Sequence, residues 1–141
     1  MKNAEKFNLV PIGVIHSPYH NRREAPHRGR FSPDTSEIKI FPEYVDGLRD
    51  VAGPAYFIVL YLFDRADRQM LTATPPHSNK EHGVFATRLP DRPNPIGFAV
   101  VDILKIEIAR LLGGGLDAID GTPVLDIKLY RPEIDCVMTE V

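Results

Sequence analysis

The sequence of 141 residues has a single cysteine, no tryptophan and no long hydrophobic run. With Cys136 alone, no disulfide can form within the chain, which is typical of a protein from a reducing cytoplasm. The longest apolar run, residues 57–63, ends at Asp64 and is far too short to span a bilayer. The first residues lead into Pro11 without the apolar segment of a signal peptide. These absences predict a cytoplasmic protein that does not enter a membrane.

An excess of positive charge is also lacking. The chain has 17 Lys and Arg against 19 Asp and Glu, which gives a formal net charge of −2. A protein that holds nucleic acid by its overall field is usually basic. The composition therefore excludes a bulk polycation, and any contact with nucleic acid must come from local clusters of cations. The length and the 43% hydrophobic content predict one globular domain over residues 1–141.

Proline, in contrast, is abundant, at 13 of 141 residues. This is nearly twice the usual fraction of about 5%, which disfavours long helices and favours strands joined by stiff loops. Residues 56–63 form the strongest predicted strand because they are β-branched and aromatic, with a buried helix as the alternative. A short helix is predicted over 42–48, with Pro42 at its first position. About seven strands indicate a small antiparallel barrel or sandwich. The others are predicted at 9–15, 37–41, 69–74, 83–88, 96–108 and 124–129, and a hairpin turn at 109–110 leads into residues 111–112.

The sequence disfavours three familiar kinds of site. His77 and His82 are five residues apart in a predicted loop without a third ligand, so no metal site is predicted. Residues 113–118 match the dinucleotide pattern G-x-G-x-x-A, but residues 120–123 would end any helix that followed. The glycines are instead expected to allow a strand bend or the close approach of another backbone. Cys136 lies among acidic residues, which raise a thiol pKa and disfavour a nucleophile.

The densest cationic segment is the predicted loop at residues 20–30. Its four arginines against Glu24 give a local charge of +3, and Pro26 stiffens it. Such a segment is either a solvated surface loop or an anion site for a carboxylate or phosphates. The arginines are Arg22, Arg23, Arg28 and Arg30.

A second loop, residues 89–95, combines rigidity with hydrogen-bond donors. Arg92 and Asn94 each precede a proline, which restricts them to extended geometry. A loop fixed in this way loses little entropy when a ligand binds. We therefore expect residues 85–97 to form a functional site.

Three aspartates follow within ten residues, at Asp117, Asp120 and Asp126. Asp120 and Gly121 form an ordinary turn signal. Asp126 lies between apolar residues of a predicted strand. There it could accept hydrogen bonds from ribose hydroxyls, an amino group or backbone amides, or pair with Arg88 or Arg92.

Four segments together resemble the TsaA-like domain of TrmO-type tRNA N6-methyltransferases, from about residue 10 to residue 135. Some relatives carry a further C-terminal domain, and the short form is more similar to archaeal members. The segments are Ile12-Gly13-Val14-Ile15-His16-Ser17-Pro18-Tyr19, Phe41-Pro42-Glu43-Tyr44-Val45-Asp46-Gly47-Leu48, Phe85-Ala86-Thr87-Arg88 followed by Arg92-Pro93-Asn94-Pro95-Ile96-Gly97, and Asp120-Gly121-Thr122-Pro123-Val124-Leu125-Asp126-Ile127-Lys128.

The resemblance implies a single β-barrel that binds S-adenosylmethionine, and a homodimer with cofactor sites near the subunit interface. The implied reaction is methyl transfer to N6 of N6-threonylcarbamoyladenosine, next to the anticodon of threonine tRNA. The implied cofactor contacts are Pro26, His27, Arg28, Asp64, Arg65, Arg88, Phe98, Asp120, Gly121, Thr122, Pro123 and Asp126. Contacts to the tRNA substrate are expected from Arg22, Arg23, Arg30, Arg92, Asn94 and Lys128.

No residue stands out as the general base of such a reaction. Asp126, Asp120 or a histidine could take the N6 proton, and the proton could also leave to water. Two other functions stay open: a non-catalytic S-adenosylmethionine-binding regulator, and an RNA-binding barrel without methyl transfer.

Overall fold

Six of the strands that the structure describes close into an antiparallel barrel. The structure is a computed structural model and describes residues 5–26, 33–52 and 55–138. The barrel confirms the predicted mainly β fold, and it is closed where a sandwich would be open. The strands are β1 (Gly13–His16), β2 (Thr35–Ile40), β3 (Ala55–Leu62), β4 (Thr72–Ala73), β5 (His82–Gly83), β6 (Ile96–Glu107), β7 (Arg110–Gly114) and β8 (Thr122–Leu129).

Around the barrel the strand order is β1-β2-β7-β6-β3-β8, and β8 pairs with β1 to close it. A separate two-stranded sheet of β4 and β5 lies outside this order. The helices are short: 3-10 helices at Pro42–Leu48 and Val84–Ala86, and one α-helical turn, α1, at Pro132–Asp135. None of the helices in the described ranges is long and apolar enough to cross a membrane.

The central strand is β3, which pairs with β6 on one side and β8 on the other. Its side chains at Phe57, Val59 and Tyr61 point into the barrel and are at most 4% exposed. The pairing of Ala55–Leu62 on both sides confirms the strand predicted at 56–63 and excludes the helix alternative. Inward side chains of the other strands meet them in one core, including Ile15, Ile38, Val101, Leu111 and Val124.

Glycines at the end of β7 and just after it allow a close approach of two strands and a turn of the backbone, as the sequence predicted. A Cβ at Gly113 would stand 2.5 Å from Cγ1 of Val101 on β6, so the two strands approach closely only because that atom is missing. Gly115, just after β7, has a φ of 96°. The chain there turns towards β8, and no phosphate-binding helix follows.

The prediction of a strand at residues 83–88 is wrong. Pairing ends with β5, and the chain turns into the 3-10 helix Val84–Ala86. The physical reason is that the segment's carbonyls are taken by a side chain. The Arg92 guanidinium binds the carbonyl oxygens of Val84, Thr87 and Leu89 at 3.0–3.1 Å, so no neighbouring strand is needed.

Two further predicted strands are shorter in the structure. The strand expected at 9–15 begins at Gly13, because Pro11 has no N–H to donate and Leu9 and Val10 are exposed. The backbone N–H of Ile12 still donates to the carbonyl of Val124 at 2.8 Å. The strand expected at 69–74 is reduced to β4. The hairpin expected near residue 109 is confirmed, with Glu107 paired to Arg110.

We predict that Gly97→Ala destabilises the barrel. Gly97 pairs with Tyr61 in register, and an added Cβ would overlap the buried Tyr61 ring. Overpacking of this kind costs about 1–3 kcal/mol. Urea unfolding followed by circular dichroism measures it. Gly47→Ala is the matched control, since a Cβ there meets nothing within 4 Å. Equal midpoints for the two variants would contradict the prediction.

Candidate active site

A cleft opens where β3 ends and β6 begins. Its larger lobe has a volume of about 840 Å³, and an adjoining smaller lobe has about 290 Å³. The larger lobe is lined by residues of β3, β6 and the segments 75–77 and 87–92. The smaller lobe lies between the loop that carries Arg22 and Pro26 and the turn that follows β3. Both lobes share Phe63, Pro76, Arg88, Leu89 and Asp117.

Tyr61 and Asp117 form a hydrogen-bonded pair in the wall of the cleft. The Tyr61 hydroxyl donates to Oδ1 of Asp117 at 2.5 Å. Tyr61 is 1% exposed, and Asp117 is half-buried between the buried residues Leu116 and Ala118. The Phe63 ring packs edge-on against the Tyr61 ring with centroids 5.3 Å apart. The hydrogen bond from the buried Tyr61 therefore fixes the position of the Asp117 carboxylate at the cleft.

Burial shifts the pKa of both members upwards. Desolvation raises the pKa of Asp117, while the hydrogen bond from Tyr61 and the charge of Arg88 oppose that shift. Burial, followed by the Asp117 charge, raises the pKa of Tyr61, which keeps the phenol neutral. Asp117 is thus a carboxylate that binds a proton more readily than an exposed aspartate.

Arg88 stands at the junction of the lobes. Its guanidinium donates to the Phe98 carbonyl at 3.3 Å and lies over the Phe98 ring, 5.3 Å from the centroid. These contacts hold the cation in place. Because Arg88 is exposed, its remaining N–H groups can meet an anionic ligand in either lobe.

Arg92 lies in the wall of the larger lobe, but its donors serve the protein. They bind the three backbone carbonyls that shape residues 84–89. Arg68 acts similarly, since its Nε donates to the carbonyl of Pro93 at 2.8 Å and its Nη2 to Asn94 Oδ1 at 3.4 Å. The rigidity predicted for this loop is present, and arginine side chains as well as prolines supply it.

The smaller lobe is held by an ion pair. Arg22 makes two hydrogen bonds to the Asp91 carboxylate, at 2.9 and 3.3 Å, and the Asp67 backbone N–H donates to the same group at 2.9 Å. The hydrogen bond from Arg22 keeps the pKa of Asp91 below its usual value. Arg65 reaches back to the carbonyl of His20 at 3.5 Å. The first part of the cationic loop is thereby attached to the segments around the cleft.

The turn at residues 120–123 mainly connects β1 with β8. The Asp120 carboxylate accepts a hydrogen bond from the Ser17 backbone N–H at 3.0 Å and lies 3.5 Å from the His16 ring. Gly121 has a φ of 87° and donates to the carbonyl of Ile15. Thr122 lines the smaller lobe, whereas Asp120, Gly121 and Pro123 do not line either lobe.

Asp126 and Lys128 lie away from the cleft. They are paired to each other, with Nζ and Oδ2 2.8 Å apart. Asp126 stands opposite Leu60 in the β3–β8 register, and the β-bulge after that pair sets Val124 opposite Tyr61. Asp126 therefore pairs with neither Arg88 nor Arg92, and it does not line either lobe.

The remaining predicted residues divide into three groups. Pro26, Asp64 and Arg65 line the smaller lobe, and Phe98 lines the larger one. Arg23 and Asn94 are exposed and line neither lobe. His27, Arg28 and Arg30 lie outside the described residues.

Sequence reasoning missed Tyr61 and Asp117 as site residues. Tyr61 reads as one more aromatic residue of a buried strand, and nothing in its neighbours distinguishes it. Asp117 is flanked by Leu116 and Ala118, a single carboxylate between apolar residues, which was a usable signal. Within the described residues, no three His, Cys, Asp or Glu side chains are grouped so that they could hold a metal ion.

Comparison with known proteins agrees with the barrel fold. The family described as tRNA-methyltransferase O N-terminal domain matches residues 14–136. The crystal structure of TrmO from Pseudomonas aeruginosa is similar, with a TM-score of 0.80 and 33% identity, covering 97% of this chain and 61% of that chain.

Two proteins of Archaeoglobus fulgidus are similar over 129 residues, 92% of this chain. One, named "Probable S-adenosyl-L-methionine-binding protein", is 59% identical, and the chain spans 35% of its length. The other, named "S-adenosyl-L-methionine-binding protein", is 54% identical, and the chain spans 93% of its length. The matching region is thus a short protein in one case and part of a longer protein in the other.

We predict that Arg92→Ala loosens the cleft wall. The substitution leaves three carbonyls without their charged donor, which costs more than about 1 kcal/mol. Hydrogen exchange monitored by mass spectrometry should show faster exchange over residues 84–92 and little change in β3. Arg49→Ala, on an exposed arginine after the first 3-10 helix, is the control. Unchanged exchange over 84–92 would show that the three contacts do not hold the segment.

Proposed function

Because the chain belongs to the tRNA-methyltransferase O N-terminal domain family, we propose that it is an S-adenosylmethionine-dependent methyltransferase that acts on tRNA. The acceptor atom is N6 of N6-threonylcarbamoyladenosine, next to the anticodon of threonine tRNA. The observation that carries this proposal is the two-lobed cleft whose lobes meet at Arg88 and Asp117. Group transfer between two large molecules needs adjoining sites with the reacting atoms at their junction.

The smaller lobe has the chemistry that S-adenosylmethionine requires. The guanidinium groups of Arg65 and Arg88 suit its carboxylate. The Asp64 carboxylate suits its amino group and ribose hydroxyls. Apolar surface for the adenine comes from Phe63, Ala66, Pro76 and Ile119. Of the cofactor residues predicted from sequence, this lobe is lined by Pro26, Asp64, Arg65, Arg88 and Thr122.

The larger lobe suits the acceptor nucleoside. Its volume is within the range of about 300–1,000 Å³ that is typical of ligand sites. The side chains of Phe98, Pro75 and Pro76 offer flat apolar surface for a base. Bases of an anticodon loop can leave their stack, and proteins that read RNA loops commonly bind such bases on aromatic side chains.

S-adenosylmethionine, when bound, supplies a methyl group that is already activated by a sulfonium. The chain's own task is therefore mainly alignment, and positioning alone can contribute about 7–11 kcal/mol. The walls of the cleft are rigid enough for such alignment, because Arg92 fixes residues 84–89 and the Arg22–Asp91 pair fixes the loop over the smaller lobe.

Local cations support tRNA as the partner despite the net charge of −2. Arg22, Arg65, Arg88 and Arg92 all line the cleft. Arg22 is paired with Asp91 and the donors of Arg92 bind backbone carbonyls, so Arg65 and Arg88 are the two of these that can meet a phosphate backbone most directly. Against these four, the cleft is lined by two acidic residues among those described, Asp64 and Asp117.

A homodimer is part of the proposal. The outer side of β6 exposes large apolar side chains at Ile96, Phe98 and Leu104, each 42–55% exposed. Phe98 also lines the larger lobe. A second copy on this face would bring a subunit interface next to the cleft. Sedimentation equilibrium should then give twice the 15.8 kDa of one chain, and Leu104→Glu should shift it towards the monomer. A monomeric wild-type protein at micromolar concentration would contradict the dimer.

The decisive test of function is mass spectrometry of nucleosides. Hypomodified tRNA is incubated with protein and S-adenosylmethionine, and a methylated N6-threonylcarbamoyladenosine is expected. tRNA without the threonylcarbamoyl group is the control substrate and should gain no methyl group. Cofactor binding without any methylated nucleoside would favour a regulator, and salt-dependent tRNA binding that ignores the cofactor would favour an RNA-binding barrel.

We predict that Arg88→Ala weakens cofactor binding. Losing a charge-assisted contact to a carboxylate costs about 1.5–3 kcal/mol, which corresponds to a rise of about tenfold or more in Kd. Isothermal titration calorimetry with S-adenosylmethionine measures it. Arg131→Ala, whose side chain pairs with Glu133 on the surface, serves as the control. Equal affinity of both variants would remove Arg88 from the cofactor site.

A further inference from the structure

Among the described residues, Asp117 is the one carboxylate that lines both lobes of the cleft. Asp64 lines the smaller lobe alone. The two carboxylates favoured from sequence line neither lobe, since Asp120 accepts from the Ser17 backbone and Asp126 is paired with Lys128. If the donor lies in one lobe and the acceptor in the other, Asp117 is the acidic side chain at their meeting point.

The position of this carboxylate is fixed from two sides. Tyr61 donates to Oδ1 from β3, and the Tyr61 ring packs in the space that a Cβ at Gly97 would fill and edge-on against Phe63. On the other side, Leu116 and Ala118 are each 2% exposed and anchor the backbone. A group held this firmly can meet a reacting atom without a further loss of side-chain entropy.

We propose that Asp117 is the proton acceptor for the methyl-accepting nitrogen, and that Tyr61 is its positioning residue. The inference rests on the proposed function. As the carbon–nitrogen bond forms, the carbon–sulfur bond breaks and its electron pair stays on sulfur, while the N–H proton passes to the Asp117 carboxylate. Asp117 is half-buried in an open cleft, so the proton can then leave to water.

The acceptor's chemistry requires such a group. The lone pair of a nitrogen placed between a purine ring and a carbamoyl carbonyl is delocalised into both. The nitrogen becomes a good nucleophile only as its proton leaves. A general base in hydrogen-bond reach contributes about 10²- to 10⁴-fold to the rate.

The environment also strengthens Asp117 as a base. Burial raises its pKa, so the carboxylate binds a proton more tightly than an ordinary aspartate does, and the Arg88 charge limits the rise. Activity that needs the ionised form should fall on acidification, from a pH above the usual range for aspartate. The titratable and charged groups that line the two lobes with Asp117 are Tyr61, Asp64, Arg65, His77, Arg22, Arg88 and Arg92.

The test compares wild type, Asp117→Asn and Asp46→Asn. Asparagine keeps the shape and can still accept the Tyr61 hydrogen bond, but it cannot take the proton. We expect kcat for tRNA methylation to fall at least 100-fold in Asp117→Asn, with the Kd for S-adenosylmethionine within about threefold of wild type. The acid limb of the wild-type pH profile should be absent from the remaining activity. Asp46, exposed on the first 3-10 helix, is the matched control and should leave all values unchanged.

A stability measurement separates this role from a structural one. A raised folded-state pKa means that the folded chain binds the Asp117 proton more tightly than the unfolded chain, so ionisation of Asp117 lowers stability as pH rises. Asp117→Asn removes that penalty, and its Tm at pH 7 should equal or exceed the wild-type value. A lower Tm together with a normal kcat would mark Asp117 as merely structural.

Tyr61→Phe tests the positioning role. The Tyr61 hydrogen bond lowers the Asp117 pKa, so its removal should move the acid limb to higher pH, with a smaller loss of kcat than in Asp117→Asn. If the acid limb of the pH profile of Tyr61→Phe coincides with that of wild type, the positioning role of Tyr61 is overturned.

The experiments distinguish failure of the proposed function from failure of the proposed role of Asp117. Wild type that binds S-adenosylmethionine but methylates no tRNA overturns both. Active wild type with an equally active Asp117→Asn overturns the inference alone. A raised Kd for S-adenosylmethionine with unchanged kcat also overturns it, because Asp117 would then be a cofactor-binding group.

Discussion

The hydrogen bond between Tyr61 and Asp117 connects the interior of the barrel with the cleft. One partner is a core residue of the central strand, and the other lies on the segment between β7 and β8. Closing the barrel brings these distant parts of the chain together. The carboxylate is therefore placed by the same packing that stabilises the fold, and its altered proton affinity is a direct result of that packing.

The cleft walls follow a second constraint, which is that backbone carbonyls need donors even where no strand is available. Arg92 supplies them for residues 84–89, and Arg68 does so for Pro93. Arginine suits this task because its five N–H groups spread in a plane and can reach several carbonyls at once. Cations that look like ligand contacts in the sequence can thus be structural supports for the site.

Local sequence patterns were sufficient for most of the fold. Alternation and β-branched residues located β3, β6 and the hairpin to β7, and Pro42 marked the start of a helix. The strand predicted at 83–88 failed because its pattern is that of a strand, while its carbonyls are bound by a side chain four or more residues away. Such a contact is long enough in sequence to leave no periodic signal.

Part of the candidate site was predictable from the sequence, and the rest depends on contacts between distant segments. The family resemblance implied Arg88, Pro26, Asp64 and Arg65 as cofactor contacts, and all four line the smaller lobe. Asp117 was harder, because its role depends on Tyr61, 56 residues earlier in the chain. The register of β3 against β6 and β8, which sets the direction of Tyr61, cannot be read from either segment alone.

The way in which Arg92 holds the segment 84–92 has a consequence for how this barrel can change. A wall held mainly by side chains, Arg92 and the Arg22–Asp91 pair among them, is separable from the strand ladder, whose hydrogen bonds continue around the barrel without it. Substitutions and short insertions in that wall can reshape the larger lobe while the barrel keeps its register. The wall of the larger lobe can therefore vary in sequence while the barrel is kept, and the same fold can bind methyl acceptors of different size.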